Sequence, residues 1–300
     1  MNELKMERPT ILVTGANGQL ANEIKLLSNQ FPSYRFLFTT KENLAIENTK
    51  VVTSFFTKRR IDYCINCAAY TAVDKAESER EKAFLINGNA VGQLASVCKA
   101  HQTRLIHIST DYVYDGSKNM ALKEIDVVAP LNVYGWSKLN GEGLALSRNP
   151  DTLIIRTSWV YSSFGNNFVK TMLRLFKEKD EINVVADQYG SPTYAADLAE
   201  VIMLFIARMV EGQNFSGIVN YCNSGITTWY EFAEAIKHFV NSNCTIRPIT
   251  TDSYKTAAKR PLYSVMDTSK IKELLDLDIP LWKNSLQKCL AEIGAEKIIK

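Results

Sequence analysis

Histidine is scarce in this chain: His101, His107 and His238 are the only three in 300 residues, and they lie far apart. No paired-histidine spacing is left for a metal centre. Cysteine is thinly spread as well, with six residues and one close pair, Cys64 and Cys67. That pair lies in an apolar strand pattern, where residues three apart point to opposite sheet faces, and no second pair accompanies it. The thiols therefore read as free and buried in a reducing compartment, and no metal site is expected. Net charge is only +3, with basic residues scattered among acids, which excludes the electrostatic footprint of a nucleic-acid binder. Long apolar runs are missing too. VIMLFIARMV (201–210) is too short to span a bilayer and is broken by Arg208. The opening MNELKMERPT is polar and carries no apolar signal segment, so a cytoplasmic protein with no membrane partner is expected.

What is present is an alternation. TILVTG (10–15) is a compact apolar strand ending in glycine, and Leu20, Ile24 and Leu27 then recur at helical spacing. Strand, glycine turn and helix make the first half of a dinucleotide-binding unit. Gly15 would permit the tight turn and Gly18 the approach of a pyrophosphate to the helix N-terminus, with Ala21 replacing a third glycine. Strands follow at 34–40, 61–66, 104–110 and 152–158, separated by helical stretches at 49–59, about 79–101 and from Tyr134. The rhythm predicts an α/β fold, a Rossmann-type doubly wound parallel sheet, with a smaller C-terminal α/β domain for substrate. Residues 1–160 would form the NADP(H)-binding domain. Residues 161–300 would mainly bind substrate, with some segments returning to the first domain. Thr193 is placed to cap a helix, and Thr228 with Glu231 matches a capping box.

Ligands of such sheets sit beyond the carboxyl ends of the strands. That rule selects Gly15–Gly18, Cys67–Tyr70, Ser109–Asp111 and Thr157–Val160. The second strand ends Thr39-Thr40-Lys41 with no acid for a ribose 2′-hydroxyl; Lys41 suits a 2′-phosphate, favouring NADPH, with NADH possible. PLNVYGWSKLNGE (130–142) places the Tyr134 phenol and the Lys138 ammonium four residues apart, on one helix face. A phenol holds its proton to about pH 10, and a nearby positive charge lowers that. Thr110 would donate a hydrogen bond to a substrate carbonyl, Tyr134 would protonate it, and Lys138 would acidify the phenol and hold the nicotinamide ribose. His107 reads as a sheet residue. Asn166 and Asn167 are free for polar contacts, ahead of core residues Phe168, Met172, Leu175 and Phe176.

The motifs GANGQL (15–20), NCAAYTAVDKAE (66–77), STDYVYDG (109–116), RTSWVY (156–161) with GNNF (165–168), DQYGSPT (187–193) and RPLYSVMDTSK (260–270) resemble the extended short-chain dehydrogenases/reductases. Within that family they resemble the branch that reduces nucleotide-linked 4-keto sugars. The resemblance covers nearly the whole chain. It implies a catalytic set of Thr110, Tyr134 and Lys138. Cofactor contacts would come from Gly15, Asn17, Gly18, Gln19 and Leu20, from Ala68, Ala69 and Tyr70 beside Cys67, and from Tyr134 and Lys138. Substrate contacts would come from Asp111, Val113, Trp159, Asn166 and Arg260. NADPH would deliver hydride to C4 of a dTDP-linked sugar. Two positions depart from the family. Leu44-Ala45-Ile46 lacks an aspartate expected near the adenine. Glu23 matches one magnesium-binding glutamate of some members, but Ala196 stands where a second would be, so magnesium is not expected, and monomer and homodimer both stay open. Two alternatives also remain: a reductase or epimerase of another nucleotide sugar, and a non-catalytic NADP-binding regulatory subunit.

Overall fold

The computed structural model describes residues 8–295. The polar segment read at the start of the chain lies largely outside them. Five strands fall where the alternation places them: β1 (Thr10–Thr14), β2 (Arg35–Thr39), β3 (Tyr63–Asn66), β4 (Arg104–Thr110) and β5 (Leu153–Thr157). A sixth, Gly217–Asn220, joins β5 from far along the chain, giving the parallel order sixth–β5–β4–β3–β1–β2. Because helices cover both faces, the central strands are apolar in both directions. Ile11 and Val13 pack with Ile24 of helix α1 (Gln19–Leu27) and with Leu198 and Ile202. Leu12 and Cys64 face the other way, toward Val52 and Phe56 of helix α2 (Thr49–Thr57) and toward Val91 and Leu94. Each such side chain contributes about 1.5–3 kcal/mol through burial.

The helix Ala195–Val210 buries Leu198, Ile202, Phe205 and Ile206 against this sheet, so the second half of the chain supplies both a strand and a covering helix to the first. A separate core forms where the helices Phe168–Glu178, Trp229–Phe239 and Trp282–Ile293 pack around the parallel pair Glu181–Val185 and Thr245–Ile249. Met172, Phe176 and Phe232 are buried there.

Three local expectations change. The helical stretch expected over 79–101 is interrupted: Arg80–Phe84 and Ala90–Ala100 are α-helical, and Leu85–Asn89 between them is a π-helical turn. Thr193 does not cap the helix that follows it; its hydroxyl bonds Thr157 at 3.1 Å, and Tyr194 holds the N-cap position without a side-chain bond. Asn167 is not free. Its Oδ1 accepts the Lys170 N–H at 3.0 Å, capping the helix, and its Nδ2 donates to Gln19 Oε1 at 2.8 Å. The Thr228–Glu231 capping box is formed.

Candidate active site

A cleft of about 770 Å³ opens along the carboxyl ends of the strands and takes lining residues from all four strand ends selected in the sequence. At one end lies the glycine turn. Gly15 has φ +68°, and a Cβ there would sit 2.8 Å from the Ala68 backbone, so only glycine fits. Gly18, at the N-cap of α1, would bring a Cβ to 3.2 Å from the Gly15 carbonyl. The bare backbone and helix N-terminus suit a pyrophosphate. Asn17, Gln19, Leu20, Cys67, Ala68 and Ala69 also line this half. Tyr70 does not: its ring is buried with Ala76, Ala83 and Val133, behind the cleft wall.

The helix Val133–Arg148 carries Tyr134 and Lys138 into the cleft one turn apart. Asn132 caps it, accepting the Gly135 N–H at 2.8 Å. Burial and the Asp111 carboxylate push the Tyr134 phenol up to about 12, against a lowering by the Thr110 hydroxyl. The expected acidification by Lys138 is therefore not what the geometry produces. Lys138, 2% exposed, turns its Nζ away to donate to the Ile108 carbonyl at 2.6 Å, with His107 Nε2 at 3.4 Å. Burial pulls the ammonium down to about 8, against the charges of Glu142 and Cys67. Thr110 lines the cleft, but its hydroxyl donates to Asp111 Oδ1 at 3.0 Å and accepts the Tyr112 N–H at 3.2 Å. Burial lifts Asp111 to about 7, although the Ser264 and Thr110 hydroxyls lower it. A carboxyl, a hydroxyl and a phenol thus meet at one wall.

Two residues below this wall were not recognised in the sequence as site residues. His107 is a buried sheet residue, as expected, yet it touches Lys138, and its Nδ1 lies 3.0 Å from Asn66 Nδ2. Asn66 in turn accepts from Thr14 Oγ1 at 2.7 Å, so a polar chain runs from β1 to the lysine. Burial and the Lys138 charge hold His107 well below the usual imidazole range. Asn87, in the π-helical turn, accepts the Tyr70 N–H at 2.8 Å and donates to the Tyr70 carbonyl and to Ser137 Oγ at 2.9 and 3.0 Å. It thereby fixes the Ala68–Tyr70 loop to the helix that carries Lys138. The only sequence signal was an Asn-Gly interruption, INGNA (86–90), inside a helical pattern.

On the opposite wall Trp159 and Asn166 line the cleft. Trp159 has φ +48° and stacks on Trp229 with ring centroids 3.6 Å apart and planes within 10°. Gly190 makes room for it, since a Cβ there would lie 2.6 Å from the indole. Arg260 stands behind the lining, paired with Asp74 at 2.7 Å and beside the Tyr112 hydroxyl. Val113 does not line the cleft. The short 3₁₀ turn Asp111–Val113 directs its side chain into a cluster with Tyr114, Leu122 and Met266. Lys41 lines the cleft mouth and pairs with Glu47 at 3.0 Å; Leu44 and Ile46 line it too. Glu23 is buried and accepts from Ser162 Oγ at 2.5 Å, while Asp197 accepts from Asn223 at 2.6 Å. Among the described residues no group of three or more His, Cys, Asp or Glu side chains is set to hold a metal ion.

A parallel doubly wound sheet with a glycine cradle and a Tyr-Lys pair at its strand ends defines a nicotinamide-dinucleotide-dependent oxidoreductase of the short-chain dehydrogenase/reductase class. Comparison with known proteins narrows this. Residues 9–295 match the family model "RmlD substrate binding domain". The chain is 39% identical to the dTDP-4-dehydrorhamnose reductase of Aggregatibacter actinomycetemcomitans, covering 94% of this chain and 98% of the relative. It is equally 39% identical to the spore coat polysaccharide biosynthesis protein SpsK of Bacillus subtilis, covering 94% and 97%. The crystal structure of dTDP-4-dehydrorhamnose reductase from Bacillus anthracis in complex with NADP superposes with a TM-score of 0.89 at 36% identity, over 95% of this chain and 99% of that one. The chain belongs to the RmlD family, that of the dTDP-4-dehydrorhamnose reductases.

Proposed function

We propose that this protein is a cytoplasmic enzyme that reduces the C4 ketone of dTDP-4-dehydro-L-rhamnose to the alcohol of dTDP-L-rhamnose, using NADPH. The observation that carries the reading is the placement of the Tyr134 phenol with Thr110 at the cleft wall and Lys138 one turn below. The relatives' names supply the sugar.

NADPH, when bound, supplies the hydride and leaves as NADP⁺. Gly15, Gly18 and the N-terminus of α1 bind its pyrophosphate, and Lys138 holds the nicotinamide ribose. Tyr134 does the acid work. With a pKa pushed up to about 12 the phenol keeps its proton at neutral pH, which suits a donor to the oxygen that gains negative charge as hydride arrives at C4. Thr110 steadies that oxygen by turning its hydroxyl from Asp111 to the substrate. Bulk water reprotonates the phenolate left behind. Trp159 and Asn166 hold the nucleotide sugar against the far wall, and Arg260 supports it from behind Tyr112.

Purified protein should oxidise NADPH when given dTDP-4-dehydro-L-rhamnose, and much more slowly with GDP- or UDP-linked 4-keto sugars. Absence of turnover with NADPH demonstrably bound sinks the assignment; a preference for another nucleotide redirects it. Tyr134→Phe should cost about 10²–10⁴ in kcat while leaving NADPH affinity nearly intact.

A further inference from the structure

Beneath Lys138 three polar side chains run in single file. The Thr14 hydroxyl donates to Asn66 Oδ1 at 2.7 Å, Asn66 Nδ2 faces His107 Nδ1 at 3.0 Å, and His107 Nε2 faces Lys138 Nζ at 3.4 Å. All four residues are buried. A neutral imidazole carries one proton, so accepting from Asn66 at Nδ1 leaves Nε2 as the N–H. That N–H points at Nζ. An ammonium has no lone pair to receive it, and the two donors stand 3.4 Å apart while Nζ reaches the Ile108 carbonyl at 2.6 Å. A half-turn of the Asn66 amide exchanges its oxygen and nitrogen without changing its shape. Nδ1 then holds the proton and donates to Oδ1, Nδ2 donates to the Thr14 hydroxyl, and Nε2 is free to accept from an ammonium.

We propose that His107 is a positioning residue for Lys138 and that its tautomer follows the charge of the amine, Nδ1–H beneath an ammonium and Nε2–H beneath a neutral amine. As Lys138 discharges, one Nζ proton passes to Nε2 and Nδ1 releases its own to solvent, so one proton leaves in all and the imidazole stays neutral. Imidazolium does not form, because burial and the Lys138 charge hold His107 well below its usual range. The other ionisable groups around Nζ are committed elsewhere. Glu142, one turn along the same helix, accepts from Arg156 Nε and Nη2 and from the Ser109 hydroxyl. Burial pushes the Cys67 thiol and the Tyr134 phenol up, which keeps both protonated. In either state Nζ keeps one N–H for Ile108 and one for the cleft, and the charged form is the stronger donor. His107 thereby sets whether a bound ribose meets an ammonium. That last step rests on the functional reading above; the tautomer does not.

With only three histidines in the chain, and His101 and His238 exposed, the tautomer is open to direct measurement. In full-length protein carrying ¹⁵N imidazoles, the His107 resonances are those missing from His107→Gln, and their shifts tell a protonated nitrogen from a bare one. The proton should sit on Nδ1 well below pH about 8 and on Nε2 well above it. One tautomer throughout overturns the proposal, and so does a switch that survives in Lys138→Met. In turnover, the charge-assisted bond to the ammonium is the stronger of the two that His107 offers. His107→Leu, which offers neither, should move the alkaline limb of kcat/KM down by about one pH unit, a tenfold shift in the amine equilibrium. His107→Gln, whose amide serves as donor or acceptor, should leave the limb within about threefold. A limb unmoved in His107→Leu overturns the charge-setting role. A tautomer switch in a wild type that binds NADPH and reduces no 4-keto sugar upholds the coupling and sinks the functional reading instead.

Discussion

At the scale of single residues, the site departs from its sequence-level expectation in how charge is shared. Tyr134 and Lys138 lie on one helix face, yet the ammonium points down to the Ile108 carbonyl and His107 rather than up to the phenol. Each group is dominated by burial, and burial drives their pKa values apart, the phenol up to about 12 and the ammonium down to about 8. The consequence for pH is definite in sign. Lys138 is charged below about 8 and loses its proton above it. If the charged form holds the ribose, kcat/KM should fall as pH rises through about 8. A pH profile of Lys138→Arg, which keeps its charge throughout, should lose that alkaline limb even where its overall rate is lower. An unchanged limb would assign it to another group.

Helices and strands show what sequence can and cannot report. β1 to β5 were legible because each is a short apolar run bounded by turn residues, and α1 and the Tyr134 helix because their apolar positions recur at helical spacing. The sixth strand, Gly217–Asn220, was not. It is four residues long, starts on a glycine at φ +81°, and owes its conformation to β5, more than 60 positions earlier. The π-helical turn was hidden for a related reason. Its cause is tertiary: Asn87 reaches Tyr70 and Ser137, and the carbonyl of Asn87 packs against Gly141 of the neighbouring helix. The helix crossing at Gly141 is tight enough to test. A Cβ there would lie 2.0 Å from the Asn87 carbonyl oxygen, a backbone atom that cannot swing aside as a flexible side chain would. Gly141→Ala should therefore destabilise the protein by about 3 kcal/mol, read as a lower urea midpoint, and weaken dinucleotide binding through the displaced Asn87.

At the scale of the whole molecule, two cores share one chain that crosses between them repeatedly. The helix Ala195–Val210 and the strand Gly217–Asn220 belong to the sheet core, while the segments on either side of them build the second core. The cleft draws its walls from both, and Trp159 and Trp229 stack together in one of them. One follows β5, and the other begins a helix of the second core. That contact has an optical consequence. Of the four tryptophans in the chain, Trp136 is surface-exposed and Trp282 is enclosed in the second core, so neither lies at the seam. Trp159 and Trp229 lie face to face at 3.6 Å, so their emission is expected to depend on their spacing. Any ligand that enters from the Trp159 side and spreads the rings uncouples them. Titration with dTDP should change the wild-type emission spectrum, and Trp229→Phe should remove most of that change while Trp136→Phe leaves it. The seam between the two cores thus carries its own dye, and the protein can report the filling of its cleft by the colour of its light before any chemistry occurs.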